Sequence, residues 1–220
     1  PDLFKYAKQV EGTITSIGSH PAATICSPVD IVESISTITL DTNKYPVSSL
    51  NMDEVESLNY LKLDLLGLKN VEIIYNTCKL AGIKPLKSDD MDFDDEEVWK
   101  DIMKSPVGIF QFEDDFSHSI LKRTFSEETL NKIRKNNPNI DYLYLMSVTN
   151  GAIRPAGASY RDALANGEMH DNGHFALNEF LKDSNGFLVF QEQIIQFLHE
   201  FCGFTMGEAD VVRRGFAKKT

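Results

Sequence analysis

Hydrophobic and polar positions alternate in short runs over the first sixty residues and follow a helical period afterwards. Small or β-branched residues bounded by glycine or proline predict short strands at 12–18, 22–27 and 37–40. Residues 45–49 predict a turn or an edge segment, because Pro46 has no N–H to donate to a neighbouring strand. The early part of the chain therefore favours strands and turns.

The hydrophobic period becomes helical near Gly67. The apolar positions that follow fall on one face of a helix, and Gly82 is a suitable stop. These positions are Leu68, Val71, Ile74, Tyr75 and Cys78. A second helix, over 92–104, has acidic residues in its first turn and Asp92 as its expected N-cap, where negative charge suits the helix dipole.

Three further helices are predicted in the last hundred residues. Ser126 is the expected N-cap of a helix over 127–135. A strongly amphipathic helix ends near Gly203 and carries Phe190, Ile194, Phe197, Leu198 and Phe201. Thr205 and Glu208 have capping-box spacing and are expected to begin a short helix that ends at Gly215. Loops are expected at 136–139, 151–157 and 165–173.

Strands early and helices later predict an α+β fold, with a small β-containing segment followed by a mostly helical domain. With 220 residues, 42% of them hydrophobic, the chain is long enough for one domain or two small ones. No apolar run approaches the roughly 18 residues that a membrane span needs, so no membrane association is expected. The chain begins without an initiator methionine, and we expect it to belong to a longer protein.

The formal net charge of −11 argues against a protein that coats DNA without specificity, because phosphate neutralisation needs lysine and arginine. The charge is unevenly distributed, however. Acidic residues concentrate at 89–101, whereas the C-terminal end carries Arg213, Arg214, Lys218 and Lys219. We therefore expect local fields, rather than the total charge, to decide where an anionic ligand binds.

Cysteine and histidine give no metal-site pattern. Cys26, Cys78 and Cys202 are widely spaced and odd in number, which favours buried thiols over a disulfide framework. His170 and His174 have the i,i+4 spacing of a helical metal site, but turn-forming residues separate them. A solvated loop is the preferred interpretation of that pair.

Residues 60–69 hold the most informative charge pair. In an extended strand the side chains alternate between two faces, so Lys62 and Asp64 share one face. Tyr60 is expected on that face, and Leu61, Leu63 and Leu65 on the opposite, buried one. A carboxylate that can hold Mg²⁺ beside a cation that offsets phosphate charge suits phosphoryl transfer. The alternative is an exposed ion pair beside a core strand.

Six segments in order resemble motifs of the C-family replicative DNA polymerases of the alpha-subunit type. For example, residues 61–68 are similar to that family's Lys-x-Asp-x-Leu-Gly-Leu signature, and residues 203–219 to its Gly-x-x-x-Gly-x-Ala-Asp-x-x-Arg-Arg-x-x-x-Lys-Lys segment. The other four are 18–28, 108–113, 154–157 and 189–193. Together the six segments extend over nearly the whole chain.

The resemblance implies roles for particular residues. Asp64 would be a catalytic palm carboxylate and a ligand of Mg²⁺. The substrate-binding residues would be Lys62, Arg154, Arg213, Arg214 and Lys218. Without the resemblance, a basic helix end that suits the dipole is the preferred interpretation of the C-terminal arginines, and the alternative for Arg154 is a loop arginine paired with a surface acid.

The resemblance also implies the domain organisation. Residues 1–66 would be the C-terminal part of the palm, and residues 67–220 the N-terminal part of the fingers. The sequence lacks the family's Pro-Asp-x-Asp-x-Asp-Phe segment, which supplies two further palm carboxylates. Two-metal transfer needs carboxylates that hold two ions about 4 Å apart, and Asp64 alone cannot do so.

The expected function is therefore part of a template-directed, Mg²⁺-dependent DNA polymerase that transfers nucleotides from dNTPs to a primer 3′-hydroxyl. The isolated chain is predicted to be inactive. Expected partners are primer–template DNA, dNTP, the remainder of the polymerase chain and replisome subunits, in the cytoplasm. The alternatives are a non-catalytic nucleotide- or DNA-binding module derived from a polymerase, and a globular domain without a nucleic-acid role, which the acidic net charge favours.

Overall fold

The computed structural model describes residues 2–20, 22–41 and 43–218. The chain divides into two compact units, Pro1–Glu72 and Ile73–Thr220. All strands of the described residues lie in the first unit, and the second is helical. The expected α+β class is thus confirmed.

The described residues of the first unit form two small antiparallel sheets and three helices that precede α4 (Lys69–Ala81). Strand β1 (Ala23–Cys26) pairs with β4 (Leu61–Asp64), with Ala23 opposite Asp64 and Ile25 opposite Lys62. Strands β2 (Thr37–Ile38) and β3 (Val47–Ser48) form the second pair. The helices are α1 (Asp2–Val10), α2 (Ile31–Ser34) and α3 (Met52–Ser57). Ile35 and Val55 are its buried apolar residues among those described.

The strand predictions succeeded where a partner strand is available and failed where none is. Strands at 23–26 and 37–38 confirm two of the predicted runs, and the edge segment forms β3. The strand predicted at 12–18 is wrong, because this stretch is irregular after a turn at Gly12. Its β-branched residues pair with no strand of the described residues, and strand propensity alone does not hold an isolated strand.

The leucine face of β4 differs from the expectation, whereas Asp64 is exposed as expected. The leucines predicted to be buried are exposed, by 59% for Leu61, 39% for Leu63 and 67% for Leu65. The Lys62 side chain, expected on the open face, is 23% exposed. The physical reason is that β4 pairs with β1 alone, so within the described residues of this unit no layer covers the leucine face.

The second unit is built from helices that follow α4 (Lys69–Ala81), in which the unit boundary falls. In chain order they are α5 (Glu96–Ile102), α6 (Asp115–Thr124), α7 (Glu127–Asn136), α8 (Tyr142–Ile153), α9 (Arg161–Ala165), α10 (Phe175–Phe180), α11 (Gln191–Cys202) and α12 (Met206–Lys218). Short 3₁₀ turns occur at Ser88–Asp90, Pro155–Gly157 and Lys182–Ser184. Of the described helices, none combines the length and apolar character needed to cross a bilayer.

Two buried clusters hold the helical unit together. The larger cluster consists of Trp99, Phe112, Leu121, Phe125, Ile133 and Leu145. The smaller consists of Val148, Ala152 and Leu164. Helix α8 contributes to both, and each fully buried Leu, Val or Phe stabilises the fold by roughly 1.5–3 kcal/mol. The core of the helical unit therefore fixes α8, whose C-terminal end precedes Arg154.

The predicted helix caps were partly right. Ser126 Oγ accepts a hydrogen bond from the Thr129 N–H at 3.3 Å, as expected. Asp92 is not an N-cap, however, since it accepts from the Asp94 N–H, and the cap of α5 is Asp95. Any acid of this run can cap a helix, so the sequence alone does not select which one does.

Two predicted loop or helix boundaries also differ. Residues 151–157 are not an open loop, because α8 extends to Ile153 and a 3₁₀ turn follows. Helix α4 forms as expected before Gly82, but Cys78 is its buried residue and the other residues of its apolar face are exposed. Helix α12 continues beyond Gly215 to Lys218.

Candidate nucleotide- and metal-binding residues

Asp64 lies at the end of β4 on the same face as Lys62, as predicted. Lys62 Nζ and Asp64 Oδ2 are 3.0 Å apart, and the Asp64 side chain is 46% exposed. Opposite them on β1 lie Ile25 and Ala23, which carry no charge. Oδ1 of Asp64 accepts no hydrogen bond from the described residues. Asp64 is thus held by one ammonium group while one of its carboxylate oxygens is not engaged.

This donor chemistry fits one ligand position of a magnesium ion. Mg²⁺ binds carboxylate oxygens and usually keeps waters or phosphate oxygens in its other positions. Lys62 would offset the negative charge of a phosphate that shares the ion. Among the described residues, no group of three or more His, Cys, Asp or Glu side chains is placed to hold a metal ion.

Arg213 and Arg214 share one carboxylate, that of Asp210. Arg213 Nε and Nη2 donate to Oδ1 of Asp210 at 2.9 and 2.8 Å. Arg214 Nε and Nη2 donate to Oδ2 at 2.9 and 2.6 Å. These hydrogen bonds, first from Arg213 and then from Arg214, lower the pKa of the Asp210 carboxyl. The carboxylate is therefore ionised at neutral pH and fixes both guanidinium groups.

Helix α12 begins with the predicted capping box. Thr205 Oγ1 accepts from the Glu208 N–H at 3.3 Å, and Glu208 Oε2 accepts from the Thr205 N–H at 2.9 Å. The expectation that Arg213 and Arg214 lie in the last turn is wrong, since the helix continues to Lys218. The described backbone of α12 includes Lys218, but the side chain of this predicted phosphate ligand lies outside the described part.

Helix α12 packs against α11, and a glutamine connects them. Gln191 Oε1 accepts a hydrogen bond from Arg213 Nη1 at 2.7 Å. Gln193, two residues later, accepts from the Val189 N–H at 2.8 Å through Oε1 and donates from Nε2 to Ser184 Oγ at 2.8 Å. Gln193 therefore fixes the start of α11, and Gln191 fixes Arg213.

Arg154 stands at the C-terminal end of α8 with an extended backbone, as the following proline predicts. Its side chain is exposed and its guanidinium has no partner among the described residues. The alternative of a surface ion pair is therefore not what the described residues show. Gly157 folds back so closely that a Cβ there would lie 2.3 Å from the Ala152 carbonyl oxygen.

Arg161 fixes this turn, and no sequence pattern points specifically to this residue. Its Nε donates to the Ala152 carbonyl at 2.8 Å, and its Nη2 donates to those of Ile153 and Arg154 at 3.2 and 3.0 Å. A cation at the last carbonyls of a helix also suits the helix dipole. Its only sequence signal is a basic residue shortly after the loop expected at 151–157, and this pattern is too common to be specific.

The histidine pair does not form a metal site in the described residues. His174 is the N-cap of α10, where its Nδ1 accepts from the Ala176 N–H at 3.2 Å. His170 stacks on Phe187 with ring centroids 5.5 Å apart. Of the cysteines, Cys78 is buried, whereas Cys26 and Cys202 are exposed, so the expectation of buried thiols holds for one of the three.

Comparison with known families gives two matches. Residues 1–67 match the family described as the bacterial DNA polymerase III alpha NTPase domain. Residues 152–220 match the bacterial DNA polymerase III alpha subunit finger domain.

Curated relatives of this chain are named DNA polymerase III subunit alpha. The chain is 27% identical over 226 aligned residues to the DNA polymerase III subunit alpha of Ureaplasma parvum, covering 99% of this chain and 22% of the relative. The corresponding proteins of Buchnera aphidicola and Staphylococcus aureus are 26% and 29% identical, covering 99% and 98% of this chain and 19% and 20% of the relatives. The chain thus spans about a fifth of the length of these relatives. On these matches at both ends and over nearly all of its length, the chain belongs to the bacterial DNA polymerase III alpha-subunit family.

Proposed function

We propose that this chain contributes metal- and nucleotide-binding residues to template-directed DNA synthesis. In that reaction the primer 3′-hydroxyl attacks the α-phosphorus of a dNTP, the bond to the β-phosphate breaks, and pyrophosphate leaves. The protein supplies mainly positioning and charge stabilisation. A chain with this role in bacterial DNA replication would act in the cytoplasm.

The observation that carries this proposal is the ordered guanidinium pair on α12. Asp210 holds both arginines by their Nε edges, and Arg214 remains 67% exposed. Guanidinium forks bind phosphate oxygens through paired hydrogen bonds and keep their charge at all physiological pH values. Arg214 can therefore contact the triphosphate of a nucleotide, and Arg154 offers a second exposed guanidinium.

Asp64 and Lys62 would serve the metal. When bound, Mg²⁺ would neutralise phosphate charge. Asp64 would contribute its unengaged Oδ1, and Lys62 would keep the carboxylate oriented through Oδ2. Because Mn²⁺ takes the same oxygen ligands, it can report on this site. We expect Asp64→Asn to weaken Mn²⁺ binding to the chain, measured by water-proton relaxation, whereas Asp53→Asn, an exposed acid of α3, leaves it unchanged.

The partners proposed for the chain are a nucleotide, primer–template DNA, the remainder of the polymerase and, beyond it, replisome subunits. The exposed leucines of β4 support a protein partner for the first unit. Leu61 and Leu63 are exposed by 59% and 39%, and neighbouring exposed apolar residues mark surfaces that other protein covers.

The test of nucleotide binding is a titration of this chain with a fluorescent dNTP in the presence of Mg²⁺. We expect saturable, salt-sensitive binding that Arg214→Ala weakens about tenfold, the loss of one charge-assisted contact of roughly 1.4 kcal/mol. Arg123→Ala is the matched control, since this arginine also pairs with an aspartate of the helical unit. Binding that is absent, or equally strong in Arg214→Ala, would contradict the proposal.

A second candidate function is a non-catalytic nucleotide- or DNA-binding module. The observation that favours it is in the sequence, which carries the proposed phosphate-binding arginines but lacks the Pro-Asp-x-Asp-x-Asp-Phe segment that would supply further carboxylates to accompany Asp64. The two candidates separate when the polymerase that contains this sequence is assayed on primed DNA. Asp64→Asn is expected to abolish incorporation if the chain is part of the catalytic site, and to leave it intact if the chain only binds.

A further inference from the structure

We propose that Asp210 is a positioning residue that gives the two arginines of α12 different roles, with Arg213 bracing α12 against α11 and Arg214 contacting phosphate. The resemblance to the polymerase family implied the same role for both arginines. The hydrogen bonds around Asp210 distinguish them. This inference rests on the proposed triphosphate binding and deepens it.

The guanidinium group of Arg213 is hydrogen-bonded to other residues of the protein on two sides. Its Nε and Nη2 are bonded to Asp210, and its Nη1 donates to Gln191 of α11 at 2.7 Å. The side chain is 20% exposed. A phosphate that bound the outer Nη1–Nη2 edge of this group would compete with Gln191 for Nη1. Arg213 is therefore a structural connection between α11 and α12.

Arg214 is held by one edge only. Its Nε and Nη2 contact Asp210, whereas its Nη1 has no partner among the described residues and the side chain is 67% exposed. A long side chain loses rotamer entropy when it binds a ligand, and fixing it beforehand reduces that cost. Asp210 therefore presents the outer edge of Arg214 in one orientation.

One alternative is that the Asp210 carboxylate merely occupies the place where a phosphate would bind. The position of Asp210 argues against this alternative. It lies three and four residues before the arginines on the same helix, and it contacts the Nε edge of each, which is the edge nearer the backbone. The outer edge of Arg214 stays available to a ligand. The hydrogen bonds that lower the pKa of Asp210 keep it charged, so it continues to hold the arginines over the physiological pH range.

The experiment compares nucleotide affinity among variants of this chain by isothermal titration with Mg²⁺ and dNTP. Asp210→Asn keeps the shape of the side chain but removes the charge and one acceptor, and we expect affinity to fall about fivefold to tenfold. Asp162→Asn is the matched control, because Asp162 also pairs with an arginine, Arg123, but is far more exposed. The expected change for the control is less than twofold.

A second variant keeps the test decisive should Asp210→Asn fail to fold. Arg214→Lys keeps the charge at an exposed position, but an ammonium cannot bind Asp210 by one edge while it offers another edge outward. We expect it to lose nearly as much affinity as Arg214→Ala. An affinity equal to that of the unaltered chain would show that charge alone is sufficient and would overturn the positioning role.

A spectroscopic readout separates positioning from simple stability. We expect the Arg214 Nε–H signal in ¹⁵N spectra to be protected from solvent exchange in the unaltered chain and lost in Asp210→Asn. The backbone amide spectrum of Asp210→Asn should still be that of a folded protein. Unchanged or tighter nucleotide binding by Asp210→Asn, with Arg214→Ala still weakened, would reject this inference and leave the proposed function standing. Binding insensitive to Arg214→Ala would reject the proposed function itself.

Discussion

At the scale of residues, the sequence indicated which cations to consider but not how they are held. Arg213, Arg214 and Arg154 were selected from a resemblance. Asp210 was not selected, although an aspartate three and four residues before two arginines on a predicted helix favours ion pairs with both. Arg161, a guanidinium on the next helix, has no such local signal. Contacts of this kind depend on side-chain rotamers and on helix packing, which the local amino-acid sequence does not determine.

Arg161 provides a prediction at this scale. Because Arg161 donates to three carbonyl groups at the end of α8, Arg161→Ala removes these hydrogen bonds and is expected to lower the free energy of unfolding by roughly 1–3 kcal/mol. Urea denaturation followed by circular dichroism measures it. Arg161→Lys, which keeps one cation near the same carbonyls, should lose less. Equal stability of all three chains would show that the turn before Gly157 does not depend on this side chain.

Glu208 provides a prediction of pH dependence. Its hydrogen bond from the Thr205 backbone, with a further one from the Thr205 side chain, lowers the pKa of the carboxyl below its ordinary 4.5. The ionised Glu208 carboxylate therefore stabilises the start of α12 fully above its ordinary pKa, and this stabilisation is lost as the pH falls through the lowered pKa.

The measurement for Glu208 is amide exchange at the start of α12 between pH 6 and 3. Protection of the Thr205 amide should decrease as acid is added, and Glu208→Gln should remove most of that pH dependence because its amide oxygen still accepts but does not titrate. The same acid sensitivity in Glu208→Gln would assign the effect to another group.

At the scale of elements, the sequence predicted two capped helix starts correctly, whereas it misplaced the cap of α5 and did not predict α6 and α8, which begin at the caps Asp114 and Asp141. Ser126 and Thr205 were identified as caps because a hydroxyl that accepts from the third following N–H is a local interaction. The strand at 12–18 was predicted wrongly because a strand depends on a partner distant in sequence. The exposed leucines of β4 have the same cause, since burial of a sheet face depends on a second layer.

Gly157 gives a prediction at the scale of elements. A Cβ at this position would meet the Ala152 carbonyl oxygen of α8 at 2.3 Å, so Gly157→Ala must shift backbone and is expected to cost about 1–3 kcal/mol. Gly207 is the matched control because it lies in α12 with nothing within 4 Å of its added Cβ. Gly207→Ala should raise stability by about 0.5–1 kcal/mol, the helix preference of alanine over glycine. Thermal unfolding of the two variants tests the contrast.

At the scale of the whole molecule, the net charge is a poor guide to binding. The chain carries −11, yet exposed guanidinium groups lie on α12 and at the end of α8. The acidic residues concentrate at 89–101, in a different part of the helical unit's sequence. Local fields rather than the total decide where a phosphate binds, so an acidic protein can still have a cationic site.

The isolated chain gives a prediction for its activity. With primed DNA, dNTPs and Mg²⁺, we expect no primer extension, because this sequence lacks the Pro-Asp-x-Asp-x-Asp-Phe segment that would add the carboxylates expected to hold two metal ions about 4 Å apart together with Asp64. A gel-based extension assay with an intact polymerase as positive control measures it. Extension by this chain that Asp64→Asn abolishes would show that carboxylates other than the expected pair complete the site.

The central claim is that the guanidinium group of Arg214 binds the phosphates of a nucleotide. The most direct measurement is a ¹⁵N spectrum of the arginine side chains recorded while Mg²⁺ and dNTP are added to this chain. We predict that the Arg214 signal shifts saturably with nucleotide, that Arg213 shifts less because its guanidinium is committed to Asp210 and Gln191, and that Arg123 does not shift. An Arg214 signal that stays unchanged at saturating nucleotide would contradict the claim.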